Sequence, residues 1–495
     1  MLTKVVLLGW QHYAWKSKEI SMLEQVRVSN EAVYKAGANK ITTNNEDILY
    51  TVDDKPGLIE SFFAALQHVL ASFVSVITPT LIIGGVLGLG SEMPYLISMA
   101  LFVSGVGTFI QARRVGPVGC GLICVQGTSF AFLGTILATG FSVKATGGSN
   151  DEVLATIFAV CFLAAFVEIF ISFFIEKLGK VIKPVVTGVV ITTIGVYLIK
   201  VGMTDIGGGQ WLLTNMPEKF ASPSNLIVGF SVVALVVILN ASKNQWVRLT
   251  AVVVAMIVGW ILAVILGIAK FEVGEFSLIA MPIPFKYGFN IDFGAMIAFG
   301  FLYLITAIES TGDITANCAV SKLPVKGASY LARIRAGVLG DGVNSMIAAA
   351  FNTFPNTTFS QNNGVIQLTG VASRYIGLWI GAILIVLGLF PVVGAVLQNI
   401  PKPVLGGATL VMFGTVAAAG VKILASEKIN RRNLLIIAVS LGLGLGVSFV
   451  PELFINAPKL VTAIFGSAVT VSGLTAIVMT LILPENYSAS TDHLN

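Results

Sequence analysis

Apolar runs of about twenty residues, the length a helix needs to cross a bilayer, recur from residue 58 to residue 483 with short polar loops between them. They fall at 58–84, 94–112, 121–139, 153–175, 183–203, 225–242, 247–269, 292–318, 334–352, 355–371, 375–399, 403–424, 431–450 and 460–483, which predicts fourteen spans. Two of them read badly as unbroken helices. The third opens Gly121-Leu122-Ile123-Cys124-Val125-Gln126-Gly127-Thr128-Ser129, and the tenth runs Phe354-Pro355-Asn356-Thr357-Thr358-Phe359-Ser360-Gln361-Asn362-Asn363-Gly364. Lipid-facing backbone cannot tolerate such Gly, Pro and polar interruptions. Short extended stretches, such as 122–125 and 357–360, are therefore expected ahead of half-helices in segments three and ten.

The pattern repeats. Lys183-Pro184-Val185-Val186-Thr187-Gly188 opens the fifth span and Lys402-Pro403-Val404-Leu405-Gly406-Gly407 the twelfth, with Gly195 and Gly414 at the same offset. Spans seven apart run in opposite directions across a membrane. The reading is an all-α polytopic membrane protein built as a 7+7 inverted repeat with two broken helices at matching places, the pattern of a secondary transporter.

Composition agrees. Hydrophobic residues make up 55% of the 495 and charged residues 11%, against about 25% charged in a soluble domain. This excludes an ordinary soluble enzyme and a nucleic-acid binder. The first 57 residues hold 14 of the 55 charges, so they form a polar tail. With the N-terminus inside, 23 of the 30 Lys and Arg fall on the cytoplasmic side and 7 outside, which puts both termini, 1–57 and 485–495, in the cytoplasm. Cys120, Cys124, Cys161 and Cys318 lie in or beside apolar segments without metal-ligand spacing. They read as small buried residues, and neither cofactor nor metal is expected.

Ionisable groups at membrane depth are costly and mark function. They are His68, Glu168, Glu309, Asp313 and Asp341. Glu309 and Asp313 are four apart and share a helix face; mutual repulsion would favour a bound proton, although Asp313 could instead simply accept hydrogen bonds from Thr or backbone groups. Glu168, near the end of its span, could reach the interface. Asp341 precedes the broken tenth segment, where Gln361 and Asn362 offer paired donor and acceptor groups. A flat heterocycle with alternating N–H and C=O edges suits such residues. No Lys or Arg lies in the central segments, which disfavours an inorganic anion. A membrane enzyme would need a nucleophile–base pair or metal triad that the spans lack.

Gln361-Asn362-Asn363-Gly364-Val365-Ile366-Gln367-Leu368-Thr369-Gly370 matches the pattern Q-N-x-G-x4-T-G at every specified position and resembles the signature of the nucleobase–ascorbate transporters. Glu309-Ser310-Thr311-Gly312-Asp313, Gln126-Gly127-Thr128-Ser129-Phe130 and Gln67-His68 resemble that family's motifs in spans eight, three and one. Val371-Ala372-Ser373-Arg374-Tyr375 and Lys286-Tyr287-Gly288 are similar to the bacterial xanthine permeases.

The resemblance, over about residues 47 to 485, implies a homodimer in the bacterial inner membrane. It implies a core domain at 58–178 and 286–400 and a gate domain at 179–285 and 401–484. Purine would bind between segments three and ten through Glu309, Gln361 and the backbone amides of Phe130 and Ser360. Ser129 would affect selectivity and Asn362 affinity, with Asp313, Asp341 and His68 in proton coupling or structural support. The implied activity is xanthine:H+ symport. Urate, a broader nucleobase range including uracil, and, less readily, anion exchange on the same architecture stay open. The partners are then a purine, H+ and membrane lipid, with no nucleic acid.

Overall fold

The computed structural model describes residues 48–175, 183–269, 279–397, 399–426, 429–454 and 456–484. The remainder, including nearly all of the N-terminal tail and residues 485–495, lies outside the described residues. The first helices are α1 (Leu58–Leu87) and α2 (Met93–Arg113). Strand β1 (Gln126–Thr128) leads through a 3-10 turn into α3 (Leu133–Ala145). Then come α4 (Asn150–Ser172), α5 (Pro184–Ile206), the short α6 (Gln210–Asn215), α7 (Pro223–Asn240) and α8 (Gln245–Ile265). After α9 (Phe293–Val320) and α10 (Ala328–Ala350), strand β2 (Asn356–Thr358) leads into α11 (Gln361–Thr369). The chain continues through α12 (Arg374–Leu389), α13 (Pro391–Leu397), α14 (Lys402–Ala425), α15 (Arg431–Phe449), α16 (Lys459–Phe465) and α17 (Ala468–Ile482).

Among the described residues, eight helices are long and apolar enough to cross a membrane, or nine if the bent pair α12–α13 is one span. The apolar runs predicted most of these within a few residues. Two breaks and one short helix went unseen. The eleventh run bends by 77° between α12 and α13, where Pro391 has no N–H to continue the helical ladder. The fourteenth run divides at Gly466, and Ser467 then caps α17 by accepting from the Thr470 N–H. Helix α6 lies in a loop. The extended stretches are also displaced: residues 122–125 are buried coil, and the strands are 126–128 and 356–358. Gly119 and Gly121, at φ +101° and +70°, turn the chain ahead of residues 122–125, and Cys124 N–H bonds back to Leu122 O at 2.9 Å, so residues 122–124 stay outside the ribbon.

The two spans that share the Lys-Pro-Val opening, α5 and α14, pack antiparallel. A Cβ on Gly188, Gly195 or Gly202 would lie 2.7, 2.3 and 3.1 Å from atoms of Leu424, Ala417 and Leu410 respectively. The contacts descend one helix as they climb the other. Only glycine lets the two backbones approach this closely, which is how membrane helices associate without a hydrophobic drive between them.

Candidate functional site

The ribbon of β1 and β2 forms the centre of the site. The strands pair antiparallel, Gln126 opposite Thr358, Gly127 opposite Thr357 and Thr128 opposite Asn356. Backbone bonds extend the ribbon, Ser129 N–H to Pro355 O at 2.8 Å and Phe359 N–H to Val125 O at 2.9 Å. Gly127 is required there, since a Cβ would sit 2.5 Å from the Phe359 ring. Because the strands are antiparallel, the helices that follow them leave from opposite ends of the ribbon. Each turns its N-terminal end, with amides that have no helical acceptor ahead of them, toward the ribbon. The first helical residues are Phe130 on one side and Gln361, behind the cap Ser360, on the other. Ser129 caps its own turn by accepting from the Ala131 N–H at 3.3 Å. These ends carry partial positive charge at membrane depth.

Asp341, on α10, is fully buried and saturated with donors. Gln111 Nε2 and Gln126 Nε2 reach its Oδ1 at 2.7 and 2.8 Å, and Ser310 Oγ donates to its Oδ2. Gln126 Oε1 accepts from Asn344 Nδ2 at 3.1 Å, and Ser310 Oγ also meets Thr357 Oγ1 at 3.1 Å. One carboxylate thus ties α2, α9, α10 and both strands together.

Glu309 adjoins Ser310 on α9 and has the opposite surroundings. Its Oε2 is buried with no hydrogen-bond partner. Asp313, one turn on, accepts from Thr358 Oγ1 at 3.3 Å, while its backbone carbonyl accepts from Asn363 Nδ2 at 3.3 Å. The shared helix face is therefore present, and Asp313 also supports the start of α11. His68 Nδ1 lies 2.8 Å from Asn362 Oδ1, and its Nε2 is buried without a partner. Gln361 Nε2 donates to Ser75 Oγ at 3.2 Å. The Phe130 ring packs edge-on against Phe413 of α14, centroids 5.2 Å apart.

Glu168 does not reach an interface. It is 1% exposed, with Thr306 Oγ1 3.4 Å from its Oε1. Its face of α4 is packed against α10, where a Cβ on Gly342 would lie 3.0 Å from Ile169 N. All four cysteines are buried free thiols. Sequence reasoning missed Gln111, Ser310, Thr357 and Ser75. Gln111 could have been found, as an amide inside an apolar run. Ser and Thr could not, since in helices they commonly bond their own preceding turn, as Thr108 does to Ser104 O.

A family described as a permease family matches residues 59–453. The chain is 45% identical over 445 residues to xanthine permease XanP of Escherichia coli K12, covering 89% of this chain and 96% of that protein. It is 41% identical to xanthine permease XanQ of the same strain, covering 89% and 95%. It is 33% identical to uric acid permease PucJ of Bacillus subtilis, covering 85% and 92%. Its fold resembles the transmembrane domain of the cyanobacterial bicarbonate transporter BicA, with a TM-score of 0.58, 15% identity, and coverage of 88% and 100%. Murine Slc26a9 in its inward-facing state gives a TM-score of 0.57 at 12% identity, covering 91% and 74%. These relatives are transporters, and the chain is a transporter rather than an enzyme. With a family match across residues 59–453 and curated permeases aligned over nearly their whole length, the chain belongs to the nucleobase–ascorbate transporter family of permeases.

Proposed function

We propose that the protein takes up xanthine together with protons across the bacterial inner membrane, as a dimer of fourteen-span chains with both termini in the cytoplasm. Core and gate domains divide at the boundaries given above, and the antiparallel packing of α5 against α14 supports the inverted repeat. The observation that carries the reading is the unpartnered Glu309 Oε2 on α9, with Gln361 at one helix start and Phe130 at the other. A purine ring N–H supplies the donor that Glu309 lacks. Gln361 pairs with an adjacent polar edge, and the amides of Phe130 and Ser360 take ring acceptors. Ser129 and Asn362 hold the two helix starts, and His68 steadies Asn362. Asp341 has no vacant acceptor role, so the proton falls to Glu309, with Asp313 one turn away.

A small inorganic anion is disfavoured by the lack of a cation beside the ribbon, although the two helix starts alone would allow one. Among the described residues Arg432 is the one buried Lys or Arg, and it bonds the Thr480 and Leu483 carbonyls. Urate is the second reading, favoured by the likeness to a uric acid permease.

Uptake of labelled xanthine, competed by urate, hypoxanthine, guanine and uracil, tests the substrate. A protonophore should abolish accumulation, while exchanging Na+ for K+ should change little. Strict sodium dependence would overturn the coupling.

A further inference from the structure

Helix α1 touches the start of α11 at two points. His68 meets Asn362, and Ser75 accepts from Gln361. Residues 68 and 75 are two turns apart on one face of α1, and their partners are consecutive in the chain. Ser75 is 1% exposed, and its hydroxyl bonds no other side chain among the described residues. Pro79, four residues on inside the same helix, withholds the N–H that the Ser75 carbonyl would otherwise accept. The Ser75 carbonyl is thus left without its helical donor near the contact with Gln361. With Nε2 turned to Ser75, Gln361 keeps its Oε1 free.

We propose that Ser75 is a specificity-determining positioning residue: its hydroxyl anchors the Gln361 amide and decides which of the two amide atoms, Oε1 or Nε2, is presented to the purine. The inference rests on the reading of Gln361 as a substrate-binding residue. A carboxamide is an acceptor at one end and a donor at the other. When Ser75 accepts from Nε2, Oε1 faces the substrate and selects a ring N–H. Without that anchor the amide is free to make a half-turn. Nε2 would then face a ring carbonyl or a bare ring nitrogen. Purines differ at their pyrimidine edge in this pattern of N–H, C=O and unprotonated nitrogen. The anchored polarity of Gln361 therefore ranks them.

The test uses the full chain in membrane vesicles, with labelled xanthine uptake and inhibition by urate, hypoxanthine and guanine. Ser75→Ala removes one neutral hydrogen bond, so KM for xanthine should rise about threefold to tenfold, with the maximal rate within about twofold. The spread of inhibition among the three analogues should narrow, because the released amide can turn either end to the ligand. Ser75→Thr keeps the hydroxyl and should restore the original ranking. Ser75→Cys, of similar size with a weak donor, should behave like Ser75→Ala, and it replaces that variant if alanine reduces membrane insertion. An unchanged KM and ranking in the Ala and Cys variants would overturn the proposal. So would a raised KM with unchanged ranking in all three variants, which would reduce Ser75 to packing. Failure of the unaltered chain to take up xanthine would instead overturn the substrate reading.

Discussion

Two carboxylates lie on either side of Ser310, and their surroundings are opposite. Asp341 accepts from Gln111, Gln126 and Ser310. Glu309, the residue before Ser310, has an Oε2 that is buried and bonded to nothing. A buried charge with every acceptor position satisfied joins elements together, whereas one left unsatisfied is costly unless something arrives to satisfy it. Both are acids beside the broken helices, yet Asp341 is held by donors from three elements while Glu309 Oε2 meets none. Reading every intramembrane acid as a transport residue would merge these two roles.

The largest effect should come from Asp341→Ala. It orphans at least three buried donors at about 1–3 kcal/mol each, so little folded protein should reach the membrane, and its thermal midpoint in detergent should drop sharply. A stable but transport-dead Asp341→Ala would erase the contrast between the two acids. Glu309→Gln should do the reverse. Abundance and thermal midpoint should stay close to those of the unaltered chain while xanthine affinity falls about 10- to 150-fold, the loss of one charge-assisted hydrogen bond. Near-normal uptake by this variant would remove Glu309 from the site.

Smaller shifts would sharpen the distinction between recognition and coupling. Gln361→Asn withdraws the amide by one methylene, about 1.5 Å, which is too far for two good hydrogen bonds. It should weaken binding and reorder the analogues with little change in the pH profile of uptake between about pH 5 and 8. Glu309→Asp keeps an ionisable group and should move that profile. The opposite assignment of these two phenotypes would exchange the roles of the residues. The smallest effect is expected from deleting residues 2–45. The backbone anchor begins beyond them, where the Leu49 N–H bonds Gly370 O at 2.8 Å and the Arg374 N–H bonds Val52 O at 3.0 Å. Uptake should persist; an inserted but inactive truncation would show that the tail takes part in transport.

Much of the fold was legible because lipid allows few solutions. Helices α1, α2, α4, α5, α9 and α14 start and stop within a few residues of the apolar runs, and the breaks near Gly127 and Pro355 announced themselves by polarity. The bend at Pro391 was less legible, since a proline between apolar residues is also tolerated inside long spans. Of the candidate residues, Glu309, Gln361, Asn362 and His68 were found as polar atoms in apolar runs. Ser75 and Ser310 were not, because a hydroxyl in a membrane helix usually satisfies itself locally.

By itself the sequence determined that the chain is a multispan helical transporter, that its third and tenth segments break, and which ionisable groups lie in the apolar runs. Those follow from local chemistry: an unpaired backbone group or a charge in hydrocarbon must be accounted for within its own segment. Only the tertiary structure decided how those groups differ from one another. Asp341 finds its donors at Gln111 and Gln126, 230 and 215 residues away in the chain, and Gln361 finds Ser75 at a separation of 286. Hydrogen bonding acts over about 3 Å of space without regard to separation along the chain. Whether a buried acid finds donors is therefore settled when α2, α9 and β1 meet α10.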